Sequence, residues 1–151
     1  MIGNLIFPLP LNSIVIADQA LKSGETTLVT FTFSEVVTGF ANADITIPNG
    51  TMTAVSSADG GITYTGTFTP TADLEDATNV FTVANTGVTD NAGNAGTGTT
   101  DSVNFTIETQ KPTITITSDA SDPQSGAFTA TFTFSENVTG FVIGDIAIGN
   151  G

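Results

Sequence analysis

Apolar and polar residues alternate with a period of two over much of the chain. Residues 29–34 read VTFTFS, residues 128–134 read FTATFTF and residues 103–107 read VNFTI. A period of two is typical of β-strands that bury one face and expose the other. The pattern predicts strands near residues 13–17, 27–35, 43–48, 51–56, 61–69, 79–84 and 100–108. The one helix-like stretch, residues 71–77, is short and is predicted to be a turn.

Turn-forming residues separate these strands. Asn49 and Gly50 stand between two alternating runs and predict a tight hairpin, because both residue types tolerate a positive φ. Residues 59–61 predict a second tight turn, and residues 90–96 a longer loop. Seven short strands over residues 13–110 predict an all-β, immunoglobulin-like β-sandwich with about seven antiparallel strands. Phe is expected to fill its core, because the chain has no Cys and no Trp.

The chain repeats itself with an offset of 101 residues. Residues 31–50 and 132–151 are identical at fourteen of their twenty positions. Upstream of this block, residues 14–16 align with residues 114–116. The repeat predicts a complete module over residues 13–110, preceded by an N-terminal segment or linker over residues 1–12. Residues 111–151 are then the first part, about two-fifths, of a second module.

Several sequence runs resemble a known family. They are VTFTFSEVVTGF, DITIPNG, YTGTFTP and VTDNAGN, and they are similar to the bacterial Ig-like repeat domains of large tandem-repeat surface adhesins and biofilm-associated proteins. The resemblance implies a β-sandwich, an extracellular location at the bacterial cell surface, and a spacer or adhesive role without catalysis. The partners it implies are neighbouring Ig-like modules. We expect export to depend on a signal that this chain does not contain.

Composition excludes several classes of function. The 151 residues include 15 acidic residues, two Lys and no Arg, which gives a net charge of −13. A chain of this charge would be repelled by nucleic acids. The absence of His and Cys excludes the usual zinc, haem and copper sites, and also catalysis by a Ser-His or Cys-His pair. No apolar run is long enough to predict insertion into a membrane as a helix.

Calcium is the one metal that the residue inventory permits, because it takes six to eight oxygen ligands from carboxylates, amides and backbone carbonyls. The candidate ligands lie in loops, at strand ends and near the module junction: Asp18, Asp44, Asp90, Asn91, Asn94, Asp101 and Asp119. Asp18 and Asp119 follow equivalent first strands, and Asp44 is equivalent to Asp145. The alternative is that these residues form turns by accepting hydrogen bonds from their own backbone.

Other candidate groups are better explained by the repeat. Glu35 and Glu136 occupy equivalent positions, so they recur because the module recurs and not as a catalytic pair. No catalytic residue is predicted. Tyr64 is the only Tyr, which makes a sugar-binding aromatic platform a poor prediction, and we expect it to pack beside the core.

The sequence permits more than one partner for the partial second module. Residues 113–148 predict about three strands whose apolar faces would be uncovered. Neighbouring modules of the same polypeptide would cover them in a spacer of an adhesin array. Alternatively, other copies of the chain would cover them in a self-assembling fibre, for example if residues 2–11 add as a strand. A third hypothesis is a calcium-dependent or carbohydrate-binding module.

Overall fold

The computed structural model describes residues 11–120 and 126–149, and both ranges are built from β-strands. The only helical elements in these ranges are three single 3-10 turns: Asn42–Asp44, Asn85–Gly87 and Ile143–Asp145. The chain divides into two compact units, residues 1–110 and 111–151, which are described separately. Of the predicted N-terminal segment, residues 1–10 lie outside the described residues. Residues 121–125 and 150–151 also lie outside them.

Thirteen strands are described in unit 1 and two in unit 2. In chain order they are β1 (Leu11–Ile16), β2 (Ala20–Lys22), β3 (Thr27–Phe33), β4 (Val37–Thr38), β5 (Ile45–Thr46), β6 (Gly50–Met52), β7 (Ser56–Ser57), β8 (Thr63–Pro70), β9 (Glu75–Asn79), β10 (Thr82–Ala84), β11 (Thr89–Asp90), β12 (Thr99–Asp101), β13 (Phe105–Glu108), β14 (Ile114–Ser118) and β15 (Ala130–Phe134).

Unit 1 is an immunoglobulin-like β-sandwich, as predicted. One sheet has the order β1-β3-β8-β6, and β7 also pairs with β8. The strands of the opposite layer form three smaller sheets, with the orders β2-β13-β9, β12-β10-β5 and β11-β4. All the ladders are antiparallel except β2 with β13, which run parallel with Leu21 opposite Ile107. This parallel pair joins an early strand of the unit to its last strand.

Phenylalanine fills the core, as the sequence predicts. Phe68 on β8 contacts Phe81 edge to face, with ring centroids 5.2 Å apart, and Phe105 on β13 at 5.6 Å. Phe81 and Phe105 stack at 5.1 Å. These rings are fully or almost fully buried. They join the two layers of the sandwich, because β8 belongs to one layer and β13 to the other.

A second aromatic cluster forms around Phe40, which follows β4 in the chain and packs against residues of β3 and β8. Phe40 packs edge to face against Phe31 at 5.3 Å and against Phe33 at 5.1 Å. Tyr64 on β8 completes the cluster at 5.1 Å from Phe40, and its hydroxyl donates a hydrogen bond to the Val37 carbonyl at 3.1 Å. The expectation that Tyr64 packs beside the core is therefore confirmed.

The predicted hairpin at Asn49 and Gly50 is wrong. β5 pairs with β10 and β6 pairs with β8, so this corner carries the chain between sheets. Asn49 has the positive φ expected of a turn residue, at 41°. Its side-chain amide donates to side-chain oxygens of Asp76 at 2.7 Å and Asn79 at 2.9 Å. At Gly50 a Cβ would lie 2.5 Å from the ring of Phe68, so only glycine fits there.

Two further strand predictions are corrected. The predicted strand 100–108 is two strands, because residues 102–104 carry the chain from β12 to β13 in another sheet. Val103, which the alternation places inside, is therefore exposed. Residues 71–77 include the start of β9, which begins at Glu75 and was predicted to be a turn. Pairing with β13 and burial of Asn79 determine its conformation there.

Unit 2 contains β14 and β15 in one antiparallel ladder, which aligns Ile116 with Phe132. In unit 1 the residue opposite Phe31 is Ile14, so Ile14 is equivalent to Ile116 and not to Ile114. The connection between the two paired strands is one residue longer in unit 1, because Ile16 pairs with Val29 whereas Ser118 pairs with Ala130. The predicted third strand is absent from residues 126–149. The equivalent strand in unit 1, β5, pairs with β10. Among residues 111–120 and 126–149, the only paired strands are β14 and β15.

Removing the central core ring should destabilise unit 1 strongly. We expect Phe68→Ala to lower its free energy of unfolding by about 3–5 kcal/mol, because the substitution leaves a cavity between the layers. Leu28→Ala, at a half-exposed position on the adjacent strand β3, is the control and should cost less than about 1.5 kcal/mol. Urea unfolding followed by far-ultraviolet circular dichroism measures both, and equal losses would contradict the assigned core.

Candidate functional site

Residues 90–94 form a tight loop around one carboxylate. Asp90 Oδ1 accepts hydrogen bonds from the backbone N–H groups of Ala92 and Asn94, both at 2.8 Å, and Oδ2 accepts from the Asn94 side-chain amide at 2.8 Å. These bonds, led by the one from the Asn94 side chain, hold the pKa of Asp90 below its ordinary value of 3.8. Asn91 lies exposed in the same loop. Of the three predicted residues of this loop, Asp90 and Asn94 are therefore in contact, and Asn91 is adjacent to Asp90 in the chain.

The other candidate acids lie apart, and each bonds locally. Asp18 accepts from the Ala20 N–H at 2.9 Å, in the turn that leads into β2. Asp101 accepts from the Thr82 hydroxyl at 2.7 Å across the β10–β12 ladder. Asp119, in unit 2, accepts from the Thr129 N–H at 2.6 Å. By the register of its ladder, Asp119 is equivalent to Ala17 and not to Asp18. These contacts are those of turn and pairing residues.

The recurrence of Asp44 and Asp145 has a structural reason. Asp44 Oδ2 accepts from the Ala41 N–H at 2.9 Å, and the Asp44 N–H donates back to the Ala41 carbonyl at 3.0 Å. Asp145 makes the same two bonds with Val142, each at 3.0 Å. Both carboxylates close a single 3-10 turn, and each Asp is the last residue of its turn and is followed by Ile. This acid therefore recurs where the module makes that turn.

Across residues 11–120 and 126–149, no three acidic side chains are grouped closely enough to hold a metal ion. The Asp90 loop supplies one carboxylate and two amides, and its carboxylate is already hydrogen-bonded. A calcium ion there would have to replace those bonds and take further oxygens from the backbone. Calcium binding stays a prediction, with the Asp90 loop as its strongest candidate.

A second carboxylate that accepts three hydrogen bonds belongs to Asp59, which sequence reasoning treated only as part of a turn. Asp59 Oδ1 accepts from the Thr63 N–H at 2.8 Å, the Ser57 hydroxyl at 2.8 Å and the Ile62 N–H at 3.2 Å. These bonds, that from Thr63 first, lower the pKa of Asp59 far below its ordinary value. The loop between β7 and β8 also lines a shallow groove of about 310 Å³ with Ser56 and Thr65.

Unit 2 presents a large apolar face. Phe141 is 41% exposed, whereas its equivalent Phe40 is 6% exposed. Ile116 is 60% exposed, whereas its equivalent Ile14 is 8% exposed. The second layer of the sandwich accounts for the difference, because unit 1 has that layer and the described part of unit 2 does not.

Comparison with known proteins identifies the family. A family model described as bacterial Ig-like domain matches residues 8–107 and again residues 108–151. The chain belongs to the bacterial Ig-like domain family.

The two matched ranges agree with the internal repeat of the sequence. Bacterial Ig-like domains are generally non-catalytic structural modules. No curated protein and no solved structure matched the chain. In the described part of the chain, no helix is long and apolar enough to cross a membrane.

Titration with calcium tests the Asp90 loop. Binding there predicts that calcium raises the melting temperature at about 0.1–1 mM, the range of extracellular modules. It also predicts that Asp90→Ala abolishes the rise. Asp101→Ala, which removes a candidate outside the loop, is the control and should retain it. An unchanged melting temperature in calcium and in chelator would leave the loop as a turn only.

Acid should weaken unit 1 in part through Asp59. A carboxylate whose folded-state pKa is depressed stabilises the fold above its unfolded pKa and loses that contribution as pH falls through the folded pKa. We therefore expect the melting temperature of the wild type to fall more steeply than that of Asp59→Asn between about pH 5 and about pH 2. Calorimetry over this range measures both slopes. Parallel slopes would show that the Asp59 carboxylate is not stabilised as described.

Proposed function

We propose that the chain is a non-catalytic structural spacer of a bacterial cell-surface adhesin, which holds a distal binding domain away from the cell and contributes to adhesion or biofilm formation. The observation that carries the proposal is the recurrence of one module in both units. The β1–β3 ladder recurs as β14–β15. The cluster of Phe31, Phe33 and Phe40 recurs at an offset of 101 residues as Phe132, Phe134 and Phe141.

The parallel pair of β2 and β13 supports a mechanical role. Because an early strand and the last strand of unit 1 run in the same direction, the chain enters and leaves this pair at opposite ends. The Thr106 N–H donates to the Gln19 carbonyl at 2.9 Å, and the pairing continues to Lys22 and Glu108. A force that pulls the two ends apart acts along these strands, so their hydrogen bonds resist it together.

The surface supports an extracellular array. Solvent-facing strand positions are largely Thr, which occurs 29 times, and the net charge of −13 makes neighbouring copies repel one another. A surface of hydroxyls with few cations remains hydrated without binding anionic polymers. The candidate sites of unit 1 are turns and a shallow groove. The Ser57 hydroxyl donates to the Asp59 carboxylate there, but the hydrogen bonds that lower the pKa of Asp59 make this carboxylate a poor base. A passive role therefore accounts for more of the molecule than catalysis does.

Surface labelling tests the proposal. Antibodies raised against the 151-residue chain should label intact cells that produce the protein, and brief protease treatment of those cells should remove the label. An in-frame deletion of this segment should leave the remaining protein on the surface but reduce adhesion, because the binding domain would sit closer to the cell. Labelling only after permeabilisation, or unchanged adhesion, would contradict the spacer function.

Single-molecule force spectroscopy tests the mechanical argument. Thr106→Pro removes the N–H that bonds the Gln19 carbonyl, so we expect it to lower the unfolding force of unit 1 in a chain pulled from its ends. Phe68→Ala is the matched control, since it destabilises the core without touching the parallel pair. Thr106→Pro should lower the force more for the same loss of equilibrium stability. Equal effects would show that the parallel pair is not the mechanical element.

A further inference from the structure

The side chain of Asn49 fixes the corner between β5 and β6. Its amide donates to Asp76 Oδ2 at 2.7 Å and to Asn79 Oδ1 at 2.9 Å, and both partners lie on β9. Its backbone carbonyl accepts a hydrogen bond from the Thr71 N–H at 2.8 Å. The Asn49 side chain therefore joins this corner to the layer that contains β9.

The fold requires a glycine directly after this asparagine. At Gly50 a Cβ would lie 2.5 Å from the ring of Phe68. In residues 11–120 and 126–149, Asn49 is the only Asn that precedes a Gly. Because glycine has no side chain, nothing on residue 50 screens its backbone nitrogen from the neighbouring side-chain amide. Packing against Phe68 thus fixes the dipeptide in which attack of the backbone nitrogen on that amide is least hindered.

The backbone nitrogen of Gly50 takes no part in the β6–β8 ladder. The Thr53 N–H donates to the Thr67 carbonyl at 2.9 Å, and alternate residues of a strand direct their backbone groups to the same side. Thr51 and Thr53 therefore face β8, whereas the Gly50 N–H points away from it. The residue opposite Gly50 is Pro70, which has no N–H, and β6 pairs with no other strand in the described ranges. No ladder hydrogen bond therefore holds the Gly50 nitrogen.

We propose that Asn49 is a site of spontaneous deamidation, that its bonds to Asp76 and Asn79 restrain the reaction, and that the product can no longer make those bonds. The Gly50 nitrogen forms a bond to Asn49 Cγ and gives its proton to the side-chain nitrogen, which leaves as ammonia. Water then opens the resulting succinimide at either carbonyl, which gives aspartate or isoaspartate. Water is the only co-reactant.

The product does not fit the place that the amide occupied. A carboxylate at residue 49 has no hydrogen to donate, and it would meet the Asp76 carboxylate as a like charge at the present 2.7 Å contact. It would also leave the side-chain oxygen of the buried Asn79 without its donor from this corner. Isoaspartate in addition lengthens the backbone by one carbon immediately before β6. Deamidation therefore weakens the attachment of the corner to β9.

Incubation of the 151-residue chain at mildly alkaline pH, followed by peptide mapping with mass spectrometry, tests the site. We expect aspartate and isoaspartate to accumulate at residue 49. Asp76→Ala removes one acceptor of the Asn49 amide and should speed the reaction about tenfold, the effect of losing one hydrogen bond to a charged group. Asp101→Ala is the matched control and should leave the rate unchanged, because Asp101 accepts its side-chain hydrogen bond from Thr82. The temperature is one at which circular dichroism shows all three proteins folded.

Thermal unfolding tests the consequence of the reaction directly. Asn49→Asp should lower the melting temperature of unit 1. The loss should be smaller in an Asp76→Asn background, because the amide introduced at residue 76 can donate to the carboxylate introduced at residue 49. This comparison also decides the case in which Asp76→Ala does not fold. Unmodified Asn49 after long incubation, equal rates in Asp76→Ala and Asp101→Ala, or equal losses of melting temperature in the two backgrounds would each overturn the proposal.

Discussion

The contact between Phe68, Phe81 and Phe105 is the interaction on which the module depends. Burying a Phe side chain stabilises a fold by about 1.5–3 kcal/mol, and these three rings bridge the two layers of unit 1. The chain has no disulfide and no Trp to join the layers in their place. The alternation of Phe with Thr follows from this constraint, because each strand must offer a ring to the core and a hydrated side chain to solvent.

Unit 2 shows what the second layer contributes. β15 repeats the Phe-Thr-Phe sequence of β3, pairs in the equivalent register and holds the same three-ring geometry. The ladder register and the ring spacings therefore recur in both units. Their burial differs, since Phe141 and Ile116 are exposed where Phe40 and Ile14 are covered. Burial, and with it most of the stability, comes from strands that are distant in sequence.

The sequence pattern predicted correctly which strand positions face the core. It predicted wrongly the features that depend on contacts with strands distant in sequence. Phe31, Phe33 and Phe68 are core residues because their alternation leaves no other choice of face. Asn49 takes the predicted positive φ, but its amide bonds to β9 and the chain turns between sheets. Val103 continues a regular alternation, yet it is exposed because the strand is broken there.

The acidic residues show a related limit. Composition permits calcium, and in the predicted loop the Asp90 carboxylate contacts the Asn94 side chain. The number of oxygens free to bind an ion depends on loop geometry, which the sequence pattern does not contain. The same holds for Asp59, whose hydrogen bonds come from β7 and β8 as well as from the turn between them. The acids were thus identifiable from sequence, but their partners were not.

Native-state hydrogen exchange on the intact chain tests the central claim, that cross-layer packing and not the local ladder stabilises the module. The amides of Thr32 and Thr133 each follow a Phe, and each pairs with a first strand in the equivalent register. If the account is correct, Thr32 exchanges about a thousandfold or more slowly than Thr133, because only Thr32 lies under a second layer. Equal protection of the two amides would contradict it, since the ladder alone would then suffice.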